Sequence, residues 1–107
     1  TFVRAFGSKG TGEGQFDLPG GVAVGGDGRV YVTDYKNARV CVFDGEGRFV
    51  MTIGSPGDGA GQFQAPQGVC FGLDGEVYVS DRERNDVQVF GGDGAYMQRI
   101  GRGGEGG

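Results

Sequence analysis

The chain has 107 residues, enough for one small domain, with a net charge of −4, 26 glycines and no histidine. The acidic balance argues against tight non-specific nucleic-acid binding, which needs clustered Lys and Arg. No apolar run is long enough to span a membrane. The lack of histidine excludes imidazole metal ligands and Ser–His or Cys–His pairs. A carboxylate-only enzyme is the open alternative, but no group of residues in the sequence points to it, so no catalytic, metal or cofactor-binding residue is predicted.

Short apolar runs, rich in β-branched and aromatic residues, follow one another along the chain and predict strands. Glycine recurs too often between them for a helix to form. One run, Phe2–Phe6, comes before two sets of four. The predicted strands of the two sets are Val22–Val24, Val30–Thr33, Val40–Phe43 and Phe49–Ile53, then Val69–Phe71, Val77–Ser80, Val87–Phe90 and Tyr96–Ile100.

The two sets are copies of one unit, offset by 47 residues without a gap. Aligning residues 1–60 with 48–107 gives 28 identities in 60 pairs. A period of roughly 40–50 residues is typical of solenoids and propellers, whose units cannot bury their own faces alone. Each copy is therefore predicted to need a neighbour on both sides.

Gly- and Asp-rich turns separate the strands, as in Gly26-Asp27-Gly28 and Asp74-Gly75. Asp-Gly between apolar runs favours a tight hairpin, because Gly accepts the positive φ of such turns. We therefore predict an all-β fold of β-propeller blades, each a four-stranded antiparallel meander. Residues 1–6 would be the outer strand of a preceding blade, 7–53 the first blade, 54–100 the second, and 101–107 a truncated loop between blades.

These motifs resemble the NHL repeat. The first copy matches its pattern with Phe6-Gly7, Gly14-Gln15-Phe16, Gly21-Val22-Ala23-Val24, Val30-Tyr31-Val32-Thr33-Asp34, Asn37-Ala38-Arg39 and Val40-Cys41-Val42-Phe43. The second copy departs from it at Arg84-Asn85-Asp86. The resemblance implies a propeller that usually closes with six blades. It also implies binding platforms for RNA or protein, sensor domains of bacterial kinases, or an amidating lyase whose imidazole ligands this chain lacks.

Strand direction sorts the loops onto two faces of the propeller. The turns between strands one and two and between three and four lie on one face, which is acidic. The turn between strands two and three lies on the other, with the loop between blades. Tyr and Arg are common at recognition sites, which makes this a candidate binding face. A solvated rim in which acids neutralise the bases is the other interpretation, and the mixed signs of the exposed charges favour it slightly. The candidate contact residues of this face are Lys9, Tyr35, Lys36, Asn37, Arg39, Arg82, Arg84 and Asn85.

Asp34 and Asp81 occupy the same position in the two copies, at the end of the second strand. They could be ligand or metal carboxylates. The favoured interpretation is that each braces its own turn by accepting backbone N–H bonds. Arg39 would pair with Asp34. Asp86 stands at the equivalent position in the second copy, where Arg82 or Arg84 could substitute.

The cysteines, Cys41 and Cys70, lie at different repeat positions, which favours two buried thiols over a disulfide and slightly favours a reducing, intracellular compartment. Two blades leave apolar faces that need partners. We expect either a segment of a longer parent chain or a homotrimer closing a six-bladed ring, in which residues 1–13 and 95–107 of neighbouring copies would compete for one place. The expected function is a non-catalytic, protein-binding module; RNA binding is the alternative.

Overall fold

The computed structural model describes residues 8–9, 15–16 and 19–101, and these contain strands and turns but no helix. No helix in this part could therefore cross a membrane. The predicted strand Phe2–Phe6 and residues 102–107 lie outside the described residues. The strands are Ser8–Lys9 (β1), Gln15–Phe16 (β2), Pro19–Val24 (β3), Val30–Asp34 (β4), Arg39–Phe43 (β5), Phe49–Ile53 (β6), Ser55–Pro56 (β7), Gln62–Phe63 (β8), Pro66–Phe71 (β9), Val77–Asp81 (β10), Asp86–Phe90 (β11) and Tyr96–Ile100 (β12).

Eight of these strands form two four-stranded antiparallel meanders, β3–β6 and β9–β12. The hairpin glycines Gly28, Gly47, Gly75 and Gly94 all have φ between 85° and 90°. The predicted turns and meanders are therefore confirmed. The last strand pair of each sheet also shifts register at the same repeat position, after Val42 in one sheet and Val89 in the other.

The two sheets pack face to face around one hydrophobic core, as propeller blades do. The Tyr31 ring of the first sheet meets the Phe71 ring of the second edge-on, with centroids 4.8 Å apart. Both rings lie between the sheets. Each sheet therefore shields the apolar face of the other from water, which neither sheet could do for itself. The buried residues of this core are Tyr31, Ala38, Val40, Val42, Ile53, Phe63, Val77, Val79 and Phe90. A second, smaller buried cluster of Val32, Cys41 and Phe43 lies on the other face of the first sheet.

The inner strands β3 and β9 approach each other closely at Gly21. A Cβ added there would lie 2.5 Å from the Gln67 carbonyl oxygen, so only glycine fits without a backbone shift. The Thr33 hydroxyl accepts the Gly21 N–H at 2.7 Å and donates to the Gln67 carbonyl at 3.0 Å. One hydroxyl thus joins the backbones of both blades.

The segment that connects the sheets contains a short parallel pair, β7 with β8, which the sequence did not predict. Phe63 of β8 is fully buried against Phe90, with ring centroids 5.7 Å apart. Gly54 has φ of 81°, and a Cβ there would overlap the Phe63 ring. The inter-blade segment is therefore part of the packed core rather than a free linker.

The cysteines correct one expectation. Both thiols are free, and Cys41 is buried, but Cys70 is exposed. Cys70 lies on the side of β9 that faces away from the first sheet, and no described strand covers it there. Burial raises the pKa of the Cys41 thiol, which makes it a poor nucleophile.

Candidate binding surface at the turns between the second and third strands

The predicted binding face is built on two equivalent turns, residues 35–38 between β4 and β5 and residues 82–85 between β10 and β11. Each turn ends on a residue in the left-handed region, Ala38 with φ of 51° and Asn85 with φ of 56°. Asparagine tolerates this conformation better than most residues, and alanine adopts it at some cost. Because the two sheets pack in the same orientation, both turns lie on one face of the blade pair.

Asp34 braces the first turn from inside the protein. Its carboxylate is fully buried and accepts N–H bonds from the Asn37 backbone, at 3.4 Å, and the Asn37 side-chain amide, at 2.8 Å. The Arg39 guanidinium lies 3.6 Å from the same carboxylate, and its side chain is 13% exposed. The predicted pair of Asp34 with Arg39 is therefore confirmed.

Asp81 does more in the second turn, because its carboxylate accepts four backbone N–H bonds. Two come from its own turn, from Glu83 at 3.0 Å and Arg84 at 3.1 Å. Two come from the inter-blade segment, from Gln64 at 2.7 Å and Ala65 at 3.1 Å. The structural interpretation of Asp81 is confirmed, since the carboxylate ties the turn to the segment beside it.

Arg84 is enclosed and bonded through two of its nitrogens, which the prediction of a contact residue did not anticipate. Its side chain is 8% exposed, and its Nε lies 3.1 Å from the Asp86 carboxylate. Its Nη1 donates to the Gly59 and Gln62 carbonyls, both at 3.0 Å. Arg84 thus substitutes for the arginine missing from this copy, but it pairs with Asp86 instead of Asp81. The signal in the sequence that could have indicated this pair is the spacing, since Arg84 stands two residues before Asp86.

The exposed part of the predicted face is smaller than the sequence indicates. Lys36, Arg82 and Asn85 are exposed, and Tyr35 and Asn37 are half-buried. Lys9 lies in β1, but its side chain is outside the described residues. We call the exposed and half-buried side chains of the two turns the turn surface: Tyr35, Lys36, Asn37, Arg82, Glu83 and Asn85.

Gln88 is a structural residue that the sequence reasoning missed. Its side chain is fully buried; Oε1 accepts the Gly61 N–H at 2.8 Å, and Nε2 donates to the Gln62 carbonyl at 2.6 Å. It holds the inter-blade segment at Gly61 and Gln62, just before the two residues that Asp81 holds. No pattern pointed to it, because the equivalent position of the first copy is the apolar Cys41.

The opposite face carries the acidic hairpin turns. Asp44 accepts the Glu46 and Arg48 backbone N–H bonds, each at 2.9 Å, and Arg48 Nε also lies 2.9 Å from it. These bonds, chiefly that from the Arg48 backbone, hold the pKa of Asp44 below its usual range. In the part of the chain that the structure describes, no three His, Cys, Asp or Glu side chains come together to hold a metal ion.

Comparison with known proteins locates both turns inside recognised repeats. The family model described as NHL repeat matches residues 16–43 and 63–90. The B-box type zinc finger protein ncl-1 of Caenorhabditis elegans is 57% identical over 44 residues, which is 41% of this chain and 5% of that protein. Protein brain tumor of Drosophila melanogaster is 50% identical over 44 residues, 41% of this chain and 4% of that protein. Protein lin-41 of Caenorhabditis elegans is 42% identical over 48 residues, 45% of this chain and 4% of that protein. The matches thus span at most 5% of the length of these relatives.

Proposed function

Because the chain belongs to the NHL repeat family, we propose that it is a non-catalytic interaction module whose turn surface binds a protein ligand. The observation that carries the proposal is the rigid bracing of this surface from beneath. Asp34 and Asp81 are buried and hydrogen-bonded to the turns that present Lys36 and Arg82. A surface that is already ordered loses little conformational entropy on binding, which favours affinity.

Charge favours a protein over a nucleic acid as the ligand. Arg39 and Arg84 are engaged with carboxylates, so the exposed cations of the turn surface are Lys36 and Arg82. Glu83 is exposed beside Arg82, and the whole chain carries a charge of −4. Two cations with an acid beside them would bind the phosphate backbone of a nucleic acid only weakly.

Single-stranded RNA is the second candidate, favoured by one feature. Tyr35 is a half-buried aromatic side chain next to the exposed Lys36, and a base can stack on such a ring while the cation contacts a phosphate. RNA bound in this way would show an affinity that falls steeply with added salt.

One set of variants tests both candidates. The double variant Lys36→Glu with Arg82→Glu reverses two charges on the turn surface. The matched control, Arg29→Glu with Arg48→Glu, reverses two charges on the opposite face. Peptides selected from a displayed random library against the wild-type chain should lose at least about tenfold in affinity with the first variant and little with the control, as expected for loss of interface contacts.

The same proteins are then titrated with a random-sequence single-stranded RNA oligonucleotide at low and high salt. RNA affinity that exceeds peptide affinity, falls with salt and is lost with the turn-surface variant would replace a protein ligand by RNA. Selected peptides that respond only to the opposite-face variant would overturn the placement of the site. Circular dichroism of each variant confirms that the fold is retained.

A further inference from the structure

One face of the second sheet is apolar and is not covered by any of the described strands. It holds an open cavity of about 490 Å³, lined by Gly68, Val69, Cys70, Tyr78, Ser80, Val87 and Ile100. Cys70 is exposed, Ile100 is 49% exposed, and Tyr78 and Val87 are only half-buried. We call Cys70, Tyr78, Ser80, Val87 and Ile100 the open face.

The equivalent face of the first sheet shows what such a face looks like when it is covered. Each open-face residue has a counterpart 47 positions earlier. Tyr31 corresponds to Tyr78 and is 3% exposed, and Ile53 corresponds to Ile100 and is 1% exposed. These counterparts are buried because the second sheet packs on them. The open face therefore has the residue types of a contact surface without its partner.

The other half of the same contact is uncovered at the opposite side of the molecule. In the packed pair, Val69 and Phe71 of β9 pack against the core shared with the first sheet. Their counterparts in the first sheet are Val22 and Val24 of β3, which are 66% and 64% exposed. On this outer side the uncovered part of the contact is β3, because Val32 and Phe43, the counterparts of Val79 and Phe90, are already buried. The chain thus presents the open face on one outer side and β3 on the other.

A polar detail points the same way. The Thr33 hydroxyl donates to the Gln67 carbonyl across the internal contact. Its counterpart, the Ser80 hydroxyl, accepts the Gly68 N–H at 2.9 Å, as Thr33 accepts that of Gly21. Among the described residues, none accepts the Ser80 hydroxyl proton. The counterpart of the Gln67 carbonyl is that of Gly20, on the exposed side of β3.

We propose that the open face binds β3 of a second copy of this chain, through the contact that already joins the two sheets within one copy. Tyr78 then packs on Val24, as Tyr31 packs on Phe71, and the Ser80 hydroxyl donates to the Gly20 carbonyl. The contact is head-to-tail, so it repeats until the rotation closes a ring. Three copies would supply six blades. The contact uses the sheet faces and not the turn surface, so it is independent of the proposed ligand site.

Two variants test the contact, one for each half. Val87→Glu places a charge on the open face, and Val24→Glu places one on β3. Light scattering should show an oligomer for the wild-type chain and a monomer for each variant alone. An equimolar mixture should form a dimer and nothing larger, because one intact pair of faces remains. The control is Leu73→Glu, which alters a fully exposed apolar side chain in a hairpin turn and should leave the oligomer intact.

Three results would overturn the proposal. A monomeric wild-type chain with intact β-sheet circular dichroism would show that the faces do not associate. A dimer formed by Val24→Glu alone would show that two open faces pair with each other. A mixture that stays monomeric would show that the faces are not complementary.

Cys70 gives a second readout that does not depend on either variant folding. The open face covers Cys70 when a second copy is bound, so its alkylation by N-ethylmaleimide should slow at least about tenfold as the wild-type concentration rises from nanomolar to well above the association midpoint. In the Leu73→Glu control the same slowing is expected. A Cys70 rate that does not change with concentration contradicts the proposal.

Discussion

Replacing Asp81 by alanine should be one of the most damaging single changes in this chain. The carboxylate accepts four backbone N–H bonds, two of them from Gln64 and Ala65 in the inter-blade segment. Ala65 is 1% exposed, so water cannot easily replace the lost acceptor there. An orphaned buried donor costs about 1–3 kcal/mol. With the buried Ala65 donor orphaned and the part-buried Gln64 bond and the two bonds within the turn also lost, we expect Asp81→Ala to lower the free energy of unfolding by about 3–5 kcal/mol.

Urea denaturation followed by far-UV circular dichroism measures this loss. With a slope of about 1.5 kcal/mol per molar, the midpoint should fall by about 2–3 M. All proteins are compared at one low concentration, because self-association would add stability. Asp81→Asn keeps an oxygen for three of the four N–H groups and should lose about half as much, because a charged acceptor binds roughly twice as strongly as a neutral one.

The control for the lost charge is Asp93→Ala. Asp93 is exposed and accepts one N–H bond, from Ala95 at 3.0 Å, so its removal should cost about 0.5 kcal/mol. If Asp81→Ala is no more destabilising than Asp93→Ala, the carboxylate does not hold the inter-blade segment, and the bracing of the turn surface inferred above is wrong.

Two further predictions concern titrating groups. In the native chain, N-ethylmaleimide should modify Cys70 at least about a hundredfold faster than Cys41 at low protein concentration, because Cys41 is buried and burial raises its pKa. Mass spectrometry of the labelled peptides measures the two rates. Similar rates would contradict the packing of β5. Asp44 should titrate below the usual range of aspartate in carboxyl-detected NMR, because the Glu46 and Arg48 N–H bonds stabilise its charged form. The contribution of Asp44 to stability is present above the unfolded-state pKa and is lost as the pH falls through the lowered folded-state pKa. Asp44→Asn should remove that part of the pH dependence of stability. If Asp44 titrates in the usual range of aspartate, the two N–H bonds do not stabilise its charged form.

The sequence was sufficient to predict the blades because local signals agree with the global pattern. Runs such as Val40–Phe43 can only be strands, and the Asp-Gly turns fix which strands are neighbours. The 47-residue repeat then required sheets that cover one another. The fourth strands, Phe49–Ile53 and Tyr96–Ile100, were predicted with the bounds that the structure shows.

The side-chain roles on the binding face were harder to predict, because they depend on groups distant in the sequence. Arg84 bonds Gly59 and Gln62, more than twenty residues away, so its enclosure cannot be read from its own turn. Gln88 is buried for the same reason, since its partners lie in the inter-blade segment. For Cys70 the error was the opposite one: it was predicted to be buried and is exposed. A strand pattern does not reveal which face of a sheet lacks a covering sheet.

The Thr33 hydroxyl donates across the blade junction to the main-chain oxygen of Gln67. The close approach of the two blades at Gly21 is to the same oxygen. Every amino acid supplies the same carbonyl group, so these two contacts make no demand on the side chains of the following repeat. Gene duplications that copy or exchange whole 47-residue units would therefore preserve the junction while the exposed loops diverge. The exposed loops of such a blade can therefore change their binding specificity while the packing against the neighbouring blade stays the same.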